Sequence, residues 1–336
     1  MKKFLLFLTS IFNVYANTEC KYAPIAPIDR RPSSNTFRLV QYNVEWLFID
    51  QYKDCPGLGC TWANKIDANI HMNWVANVLN DLNADYINFC EIEGCDELNM
   101  LHQLTNIDYK PYLIKGTDTA TGQNVGILTK VDPTTDLHRT NDKVKYPVPE
   151  STCGYTSTGT YGVSKHYMTT LNLNNINIAI IGAHLLAIPT EKSRCSEREA
   201  QAQVLQNQIV QLLGHGYEVI VLGDMNDYDN ENLDLNNVKP TSKVLDILKG
   251  LEGTYKNNYY LNSVASLIPQ NQRYTEWWDN NNNCREDKTD FSMIDHILMT
   301  DKLFNSISNA YIYHGYTQYC GTYNSDHFPV VVDFEF

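Results

Sequence analysis

The sequence predicts a layered α/β (α+β) fold that contains antiparallel strand pairs. Three observations support this prediction: short apolar runs recur as buried strands, helical segments separate several of them, and Asn174-Asn175 supplies a hairpin turn between two runs. The chain has 336 residues, of which 43% are hydrophobic and 19% are charged. This composition excludes a disordered, collagenous or coiled-coil protein, and the length suffices for one large domain or two ordinary ones.

Eight apolar runs predict the strands. None of these runs approaches the roughly 18 apolar residues that a membrane-spanning helix needs. The predicted strands are Phe37–Val44, Tyr86–Cys90, Val125–Thr129, His166–Leu173, Ile176–Ala183, Glu218–Leu222, Phe291–Met299 and Pro329–Phe334.

Three helices are predicted between the strands. The first has apolar residues at a spacing of four and a capping residue followed by an acid three positions later. Its apolar positions are Ile66, Ile70, Trp74 and Val78, and its cap residues are Asn64 and Asp67. Ser196-x-x-Glu199 is predicted to open a second helix that ends at Gly214 and Gly216, and a shorter third helix covers Ser242–Leu248 before Gly250.

Residues 1–16 have the order of a secretory signal peptide. Lys2-Lys3 precede the apolar stretch Phe4–Phe12, and Val14-Tyr15-Ala16 provides the small-residue end. A short buried helix is the alternative, but two lysines at the terminus favour export. Residues 17–36, which contain three prolines, predict an extended leader rather than a folded element.

Nine cysteines follow the predicted signal peptide, and in an exported protein some of them should pair. They are Cys20, Cys55, Cys60, Cys90, Cys95, Cys153, Cys195, Cys284 and Cys320. Cys55 and Cys60 bracket a turn-rich loop and form the easiest local pair to propose. Because nine is odd, at least one thiol is left over, and Cys90, inside an apolar strand, is predicted to be that thiol.

The charge balance limits the choice of partners. The chain has 26 Lys+Arg against 39 Asp+Glu, a formal net charge of −13, and the basic residues do not cluster. A tight, nonspecific nucleic-acid binder is therefore not expected. An enzyme that contacts phosphates briefly, with a metal ion supplying the positive charge, remains open.

Acidic and amide side chains lie at the ends of the predicted strands, where burying an unpaired carboxylate costs several kcal/mol. These residues are Asn43, Glu91, Asp224, Asp295 and Asp326. Convergence on one cation would compensate for that burial. Oxygen ligands of this kind suit Mg²⁺, Mn²⁺ or Ca²⁺ rather than zinc or copper.

Six motifs follow one another along the chain. They are Q-Y-N-V-E-W at 41–46, D-Y-I-N-F-C-E at 85–91, G-A-H-L at 182–185, G-D-M-N at 223–226, S-M-I-D at 292–295 and S-D-H-F-P-V at 325–330. In this order they resemble the motifs of the endonuclease/exonuclease/phosphatase superfamily, which includes pancreatic-type deoxyribonuclease. The resemblance implies a four-layer sandwich of two face-to-face, mostly antiparallel sheets flanked by helices. It also implies a single catalytic domain over residues 37–336.

The resemblance further implies a metal site and a general base. Asn43, Glu91 and Asp326 would bind Mg²⁺, with Mn²⁺ or Ca²⁺ as alternatives. His327 would take a proton from the attacking water, and Asp295 would hold its ring in the required orientation and tautomer. A plain turn before the last strand is the alternative interpretation of this region.

The remaining roles concern the water and the phosphate. By the same resemblance, Asp224 would position or activate the water, Asn226 would bond to a phosphate oxygen, and His184 would donate to the developing charge. A core histidine at a strand end is the alternative for His184. Many relatives carry an Arg or Tyr on the preceding strand; here Lys165 is the candidate phosphate contact, against a solvated loop lysine.

The leading interpretation is a secreted, metal-dependent nuclease that hydrolyses phosphodiester bonds by in-line attack of water. Nucleic acid would be a transient substrate, with no stable membrane anchor and no protein partner, and the protein is expected to be a monomer. A sphingomyelinase-like phosphodiesterase and a secreted binding or toxin-like module without turnover are the alternatives. G-D-M-N-D and Tyr274–Trp278 resemble secreted bacterial-type nucleases, and exposed aromatics there could stack bases, although packing onto the sheet suits most of them better.

Overall fold

The computed structural model describes residues 19–49, 61–154 and 157–336. The predicted signal peptide and the proposed Cys55–Cys60 pair lie outside the described residues. In the first half of the chain, the elements are β1 (Thr36–Leu47), α1 (Lys65–Leu82), β2 (Tyr86–Ile92), α2 (Cys95–Leu104), β3 (Lys110–Leu113), β4 (Asn124–Thr129), β5 (Val144–Tyr146), β6 (Gly159–Tyr161) and β7 (Lys165–Leu173). They continue as β8 (Ile176–His184), α3 (Lys192–Gly214), β9 (Glu218–Asp224), α4 (Val244–Lys249), β10 (Asn262–Ser263), β11 (Glu276–Trp277), β12 (Phe291–Ser292), β13 (Asp295–Met299), α5 (Asp301–Phe304), β14 (Ile307–Ile312) and β15 (Val330–Glu335).

The first large sheet has the strand order β14-β15-β1-β2-β4-β3. β1 and β2 are parallel, and the other neighbouring pairs are antiparallel. β1 pairs with β15 so that Gln41 lies opposite Val330. The first and last motifs of the sequence therefore meet in one sheet.

The second large sheet has the order β10-β13-β9-β8-β7. β8 and β9 are parallel, and the other neighbouring pairs are antiparallel. Asn174 and Asn175 have φ angles of 50° and 63° between β7 and β8, the left-handed pair that a two-residue hairpin turn requires. The predicted hairpin is confirmed.

Alternation along the strands divides the apolar side chains among three cores. Leu39 of β1 packs with the core that fills the space between the two sheets. Val40 and Tyr42 of β1 pack with α1 and α2, whereas Ile181 of β8 packs with α3 and α4. Helices, sheet, sheet and helices thus form four layers, and the predicted sandwich of mostly antiparallel sheets is confirmed.

Helix α1 has the predicted cap but a different buried face. Asn64 Oδ1 accepts from the backbone N–H groups of Ile66 and Asp67 at 2.9 and 3.0 Å. The first three positions of the predicted stripe face solvent, since Ile66 is 73%, Ile70 is 36% and Trp74 is 45% exposed. The helix instead buries a neighbouring face, which comprises Ala68, His71, Met72, Val75, Ala76, Val78, Leu79 and Leu82.

Two predicted boundaries were wrong. Helix α3 begins at Lys192, one turn before Ser196. Ser196 is therefore an internal helix residue rather than a cap, and its Oγ donates to Ser193 O at 3.2 Å. The strand predicted over Phe291–Met299 is interrupted at 293–294. The chain there leaves the pairing of β12 with β11 and enters the pairing of β13 with β9.

Three disulfides join Cys20 to Cys95, Cys153 to Cys195 and Cys284 to Cys320. The first ties residues 19–35 to α2, and the same segment forms an isolated bridge between Asp29 and Val131. Cys90 is buried and is the free cysteine of the described residues, as predicted. Within the described ranges, no helix combines the length and apolar character of a membrane-crossing segment.

Candidate active site

The candidate active site lies where strand ends of the two large sheets face each other. In the second sheet, His184 pairs with Asp224 and Asp224 with Asp295, so that the three residues form one row. β1 faces this row from the first sheet. Gln41 Nε2 donates to Asp295 Oδ1 and Asn43 Nδ2 donates to Asp224 Oδ2, each at 3.0 Å.

His327 and Asp295 form a buried, hydrogen-bonded couple. His327 Nδ1 lies 2.7 Å from Asp295 Oδ2, while the Asp295 backbone N–H donates to Thr275 Oγ1 at 3.0 Å and Gln41 occupies the other carboxylate oxygen. A carboxylate accepts only, so the neutral imidazole has its proton on Nδ1 and a lone pair on Nε2. The couple therefore fixes both the ring orientation and the tautomer of His327.

A second cluster lies beside this couple. Asn43 Nδ2 also donates to Glu91 Oε1 at 3.2 Å, and Glu91 Oε2 accepts from the Trp46 backbone N–H at 3.0 Å. His184 Nε2 lies 3.6 Å from Asp224 Oδ2 and 3.9 Å from Glu91 Oε1. Four of the sequence-predicted site residues, namely Asn43, Glu91, His184 and Asp224, are thus connected by polar contacts shorter than 4 Å.

Hydrogen bonds hold the last motif against the first strand, β1. Ser325 Oγ donates to Asn43 O at 2.7 Å and accepts from the His327 N–H at 3.0 Å. The Asp326 N–H donates to Glu45 Oε2 at 2.9 Å. These contacts hold residues from opposite ends of the chain at fixed positions in one site.

The G-D-M-N motif uses unusual backbone conformations. Gly223 has φ 154°, and a Cβ at this position would lie 1.8 Å from Ala183 O. Asn226 has φ 48°, and its N–H donates to Asp224 Oδ1 at 2.9 Å while its Nδ2 donates to Leu185 O at 3.3 Å. Glycine at 223 is required by the close approach of β8, and the turn aims Asp224 at the site.

The carboxylates of the site are crowded. Burial, followed by the negative charge of Asp295, raises the pKa of Asp224 well above its usual value. Burial, followed by the charge of Glu45, does the same to the pKa of Asp326. Burial raises the pKa of Glu45 to about 7, and Glu91 adds to this shift. Such a concentration of buried negative charge favours the binding of a cation.

The two site histidines differ in charge preference. Burial, followed by the Lys165 ammonium group, lowers the pKa of His184 well below its usual value. Burial also lowers the pKa of His327, but Asp295, through its charge and hydrogen bond, and Asp326 outweigh burial and raise this pKa well above its usual value. His184 is therefore neutral near pH 7. The carboxylates around His327 instead stabilise its protonated form.

Lys165 also lies in the site. Its Nζ donates to Gln123 Oε1 at 3.1 Å and lies 3.4 Å from His184 Nε2 and 3.8 Å from Asp118 Oδ2. It is a buried residue at the start of β7 rather than a solvated loop lysine. Its contact with phosphate stays a prediction.

The predicted metal ligands differ in what they offer an ion. Asp326 Oδ1 is buried and, among the described residues, has no hydrogen-bond partner. Asn43 directs its amide nitrogen at Glu91 and Asp224, and its Oδ1 accepts from the Glu45 N–H at 3.1 Å. Asp326 Oδ1 lies 3.8 Å from His327 Nε2, and a buried carboxylate oxygen that accepts no hydrogen bond fits a hard divalent cation. Glu91 and Asp326 would be the stronger ligands of such an ion, and Asn43 donates to the carboxylates of Glu91 and Asp224.

Sequence reasoning missed three polar residues of this neighbourhood. Gln41 holds Asp295, Gln123 holds Lys165, and Glu45 accepts from the Asp326 N–H. Gln41 and Glu45 both stand inside Q-Y-N-V-E-W, so the motif itself carried the signal. The roles assigned to the predicted residues stay predictions, although the structure brings them together.

Comparison with solved structures identifies the fold. The 3′ phosphatase NExo from Neisseria, bound to product DNA hairpin, aligns with a TM-score of 0.54 at 15% identity over 89% of this chain and 100% of that chain. An endonuclease/exonuclease/phosphatase family protein from Leptotrichia buccalis aligns with a TM-score of 0.52 at 13% identity over 89% and 100%. Truncated TDP2 from Caenorhabditis elegans aligns with a TM-score of 0.51 at 13% identity over 90% and 98%. The chain thus has the fold that its motifs predict.

No family model matches the sequence, and no curated protein matches it either.

Proposed function

We propose that this protein is a secreted, divalent-metal-dependent phosphodiesterase, and that nucleic acid is its substrate. The observation that carries the proposal is the couple of His327 Nδ1 and Asp295 Oδ2 at 2.7 Å, adjacent to Asp224 in the same strand register. One ligand atom each of Asp224, Asp295 and His327 lies within 4.8 Å of the others. A base, its orienting acid and a second acid at this spacing suit the activation of one water molecule.

His327 would act as the base. Its Nδ1 is engaged by Asp295, so Nε2 is the nitrogen that takes a proton from water. Gln41 and Thr275 hold the Asp295 carboxylate from two further directions. Asp224 would orient the same water, which then attacks phosphorus in line with the leaving oxygen.

His184, Lys165 and Asn226 would bind the phosphate. His184 is neutral and keeps its Nε2 within 4 Å of both Asp224 and Glu91, and the Lys165 ammonium lies 3.4 Å from that nitrogen. These groups supply hydrogen-bond donors and one positive charge where the phosphorus oxygens gain negative charge.

The same site suits a divalent ion. Glu91 and Asp326 would hold Mg²⁺, with Mn²⁺ or Ca²⁺ as alternatives, and Asn43 would complete or orient the set. When bound, the ion would stabilise charge on the phosphate oxygens and lower the pKa of His327 towards neutrality.

Nucleic acid is the proposed substrate because G-D-M-N-D resembles the form found in secreted nucleases, and because the NExo structure of the same fold holds a DNA hairpin. Export is supported by three disulfides, which persist in oxidising compartments. Mass spectrometry of the protein recovered from culture medium should give a chain that begins at Asn17.

The test incubates purified protein with supercoiled plasmid, single-stranded DNA and RNA, with MgCl₂ and with EDTA. We expect cleavage of at least one substrate in MgCl₂ and none in EDTA. His327→Ala should reduce kcat about 10²- to 10⁴-fold, which is what a general base contributes, with the melting midpoint within a few degrees of wild type. His215→Ala, at an exposed position after α3, is the matched control and should keep wild-type activity.

Two results would contradict the proposal. The first is an absence of metal-dependent cleavage of all three nucleic acids by folded wild-type protein, in which case sphingomyelin vesicles are the next substrate to assay. The second is a large fall in the melting midpoint of His327→Ala, which would make this residue structural.

A further inference from the structure

Two loops of the second sheet begin directly after site residues. The β8 loop (residues 185–189) follows His184, and the β9 loop (residues 225–227) follows Asp224. The loops are bonded to each other, because the Leu185 N–H donates to Asp224 O at 2.9 Å and Asn226 Nδ2 donates to Leu185 O at 3.3 Å. The position of one loop therefore affects the position of the other.

Arg198 of α3 is buried and contacts both loops. Its Nη1 donates to Leu186 O at 3.0 Å and to Ile188 O at 3.2 Å, and its Nη2 donates to Pro189 O at 3.0 Å. Its Nε donates to Asp227 Oδ2 at 2.9 Å. One guanidinium group thus binds three carbonyls of the β8 loop and a carboxylate of the β9 loop.

Further hydrogen bonds support the two ends of this arrangement. Gln201, on the same helix, accepts through its Oε1 from the Leu186 N–H at 2.9 Å. Helix α3 therefore binds both polar backbone groups of Leu186. Asp227 Oδ2 also accepts from Ser242 Oγ at 2.6 Å. The β8 loop is thus held from α3, and the β9 loop is held both from α3 and from the segment that precedes α4.

The β8 loop contains an unfavourable backbone conformation. Ile188 has φ 67°, in the left-handed region that a β-branched residue rarely occupies. Its side chain is 48% exposed, so burial does little to stabilise this residue. Strained backbone of this kind persists only where the surroundings impose it, and it is common at functional sites. Here Arg198 binds the carbonyl of Ile188 and that of the next residue.

Stability alone does not account for the buried pair of Arg198 and Asp227. Burial raises the pKa of Asp227 and outweighs the lowering by Arg198. Relative to its protonated form, the carboxylate is therefore less stable in the folded protein than in the unfolded chain. Buried ion pairs are often replaceable by apolar residues without loss of stability. What the pair does provide is a fixed geometry of the two loops.

We propose that Arg198 and Asp227 are positioning residues, which fix the β8 and β9 loops and thereby place His184 and Asn226 against the phosphate that is attacked. Both side chains are buried, so neither contacts the substrate. The inference rests on the proposed phosphodiesterase function, in which His184 and Asn226 bind the phosphate. A misplacement of about 1 Å in such groups lowers a rate by about 100-fold.

The test separates geometry from charge with two substitutions. Arg198→Lys keeps the positive charge but replaces the planar guanidinium by a single ammonium group, which cannot bind both loops in the same arrangement. Asp227→Asn removes the negative charge but keeps an oxygen that accepts from Arg198 Nε. We expect Arg198→Lys to lower kcat in MgCl₂ about 10- to 100-fold with a smaller change in KM. Asp227→Asn should keep kcat within about fivefold of wild type.

Two further measurements show whether the effect is confined to these loops. The proposed metal ligands Glu91 and Asp326 are held by β1, so the MgCl₂ concentration that gives half the maximal rate should be the same in Arg198→Lys and wild type. Arg30 and Asp132 form an arginine–aspartate pair outside the site, with Nη1 and Oδ1 2.7 Å apart. Arg30→Lys is the matched control and should keep the wild-type kcat.

Hydrogen exchange measured by mass spectrometry gives a readout that does not depend on activity. In Arg198→Lys, the backbone N–H groups of residues 185–188 and 225–227 should exchange about tenfold faster than in wild type. Residues 41–46 of β1 should exchange at the wild-type rate.

The outcomes distinguish this inference from the function on which it rests. If wild type cleaves no nucleic acid, the proposed function fails, and hydrogen exchange alone decides whether Arg198 fixes the two loops. If wild type cleaves and folded Arg198→Lys has the same kcat, the function stands and this inference is overturned. It is also overturned if Asp227→Asn loses as much kcat as Arg198→Lys, because charge rather than geometry would then matter. A shift in the MgCl₂ requirement of Arg198→Lys would show general damage to the site and would overturn it as well.

Discussion

At the scale of single residues, the site buries acidic side chains whose ionised form is more stable in water. Asp224 and Asp326 both have raised pKa values because they are buried near other carboxylates. A carboxylate in such a place binds a proton or a cation more readily than one in solvent, and its burial lowers folding stability. Groups held in this way concentrate at functional sites, which agrees with the proposed ion binding.

His166 gives a residue-scale prediction about pH. Burial, followed by the Arg139 charge, lowers its pKa to about 3, and its Nε2 accepts from the Thr140 N–H at 3.1 Å. The folded protein thus keeps this ring neutral while the unfolded chain protonates it near pH 6.5, so His166 removes stability as the pH falls from about 6.5 to 3. In His166→Gln, whose amide oxygen can still accept that bond, the loss of unfolding free energy between pH 7 and pH 5 should be about 2 kcal/mol smaller than in wild type.

Urea denaturation at the two pH values measures this difference. Stability curves of wild type and His166→Gln that fall in parallel over this range would contradict the prediction. Such a result would mean that the folded protein protonates His166 almost as readily as the unfolded chain does.

Sequence patterns predicted which residues meet at the site better than how they meet. Asn43, Glu91, Asp224 and Asp295 were found because polar residues ended apolar strands, whereas His327 was found through the family resemblance of its motif. Glu45 was missed although it lies two residues after Asn43, on the face of β1 that alternation assigns to Gln41 and Asn43. Its φ of 46° departs from that geometry, and it accepts from the Asp326 N–H. Such a local break depends on tertiary contacts that periodicity does not encode.

At the scale of elements, local signals predicted most strands and helix α1 but not their boundaries or faces. The Asn64 cap is local and was correct. The buried face of α1 depends on β1 and on the segment near Tyr323, since His71 Nε2 lies 2.6 Å from Val44 O and Nδ1 lies 2.8 Å from Tyr323 O. Those partners are distant in sequence, so the choice between two adjacent apolar stripes could not come from α1 alone.

Gly223 gives the prediction at this scale, because it lets two parallel strands approach at the site. In Gly223→Ala, the new Cβ would meet Ala183 O at 1.8 Å in a left-handed backbone conformation, so β8 and β9 must separate. We expect the free energy of unfolding to fall by about 3 kcal/mol or more, measured by urea denaturation. Activity should fall with it, since His184 and Asp224 pair across this contact.

Gly214 is the matched control for this substitution. It ends α3, and a Cβ there would meet no described atom within 4 Å. Gly214→Ala should leave stability unchanged or raise it by about 0.5–1 kcal/mol, because alanine loses less conformational entropy in a helix. Equal stability of the two variants would mean that β8 and β9 can shift apart at little cost.

At the scale of the whole molecule, the site exists only when both ends of the chain are in place. Asn43 lies on β1 and His327 lies three residues before β15, and these two strands are paired. The second sheet adds His184, Asp224 and Asp295 from the middle of the chain. Such non-local pairing makes the sandwich one cooperative unit for the site, so a substitution that loosens either sheet is expected to affect the chemistry.

The disulfides separate global stability from local function. Cys20–Cys95 closes a loop of 75 residues. Cys284–Cys320 closes one of 36 residues, and Cys320 lines a cavity that Glu45 and Asp326 of the candidate site also line. By loop-closure entropy, removing either bond with a Cys→Ala pair should lower the unfolding free energy by about 4 kcal/mol, as measured by urea denaturation.

Well below the melting midpoint, Cys20→Ala/Cys95→Ala should keep the wild-type KM for single-stranded DNA. Cys284→Ala/Cys320→Ala should raise that KM, because the loops around Tyr319 are no longer joined. Equal KM values in both double variants would show that the disulfide does not shape the cavity.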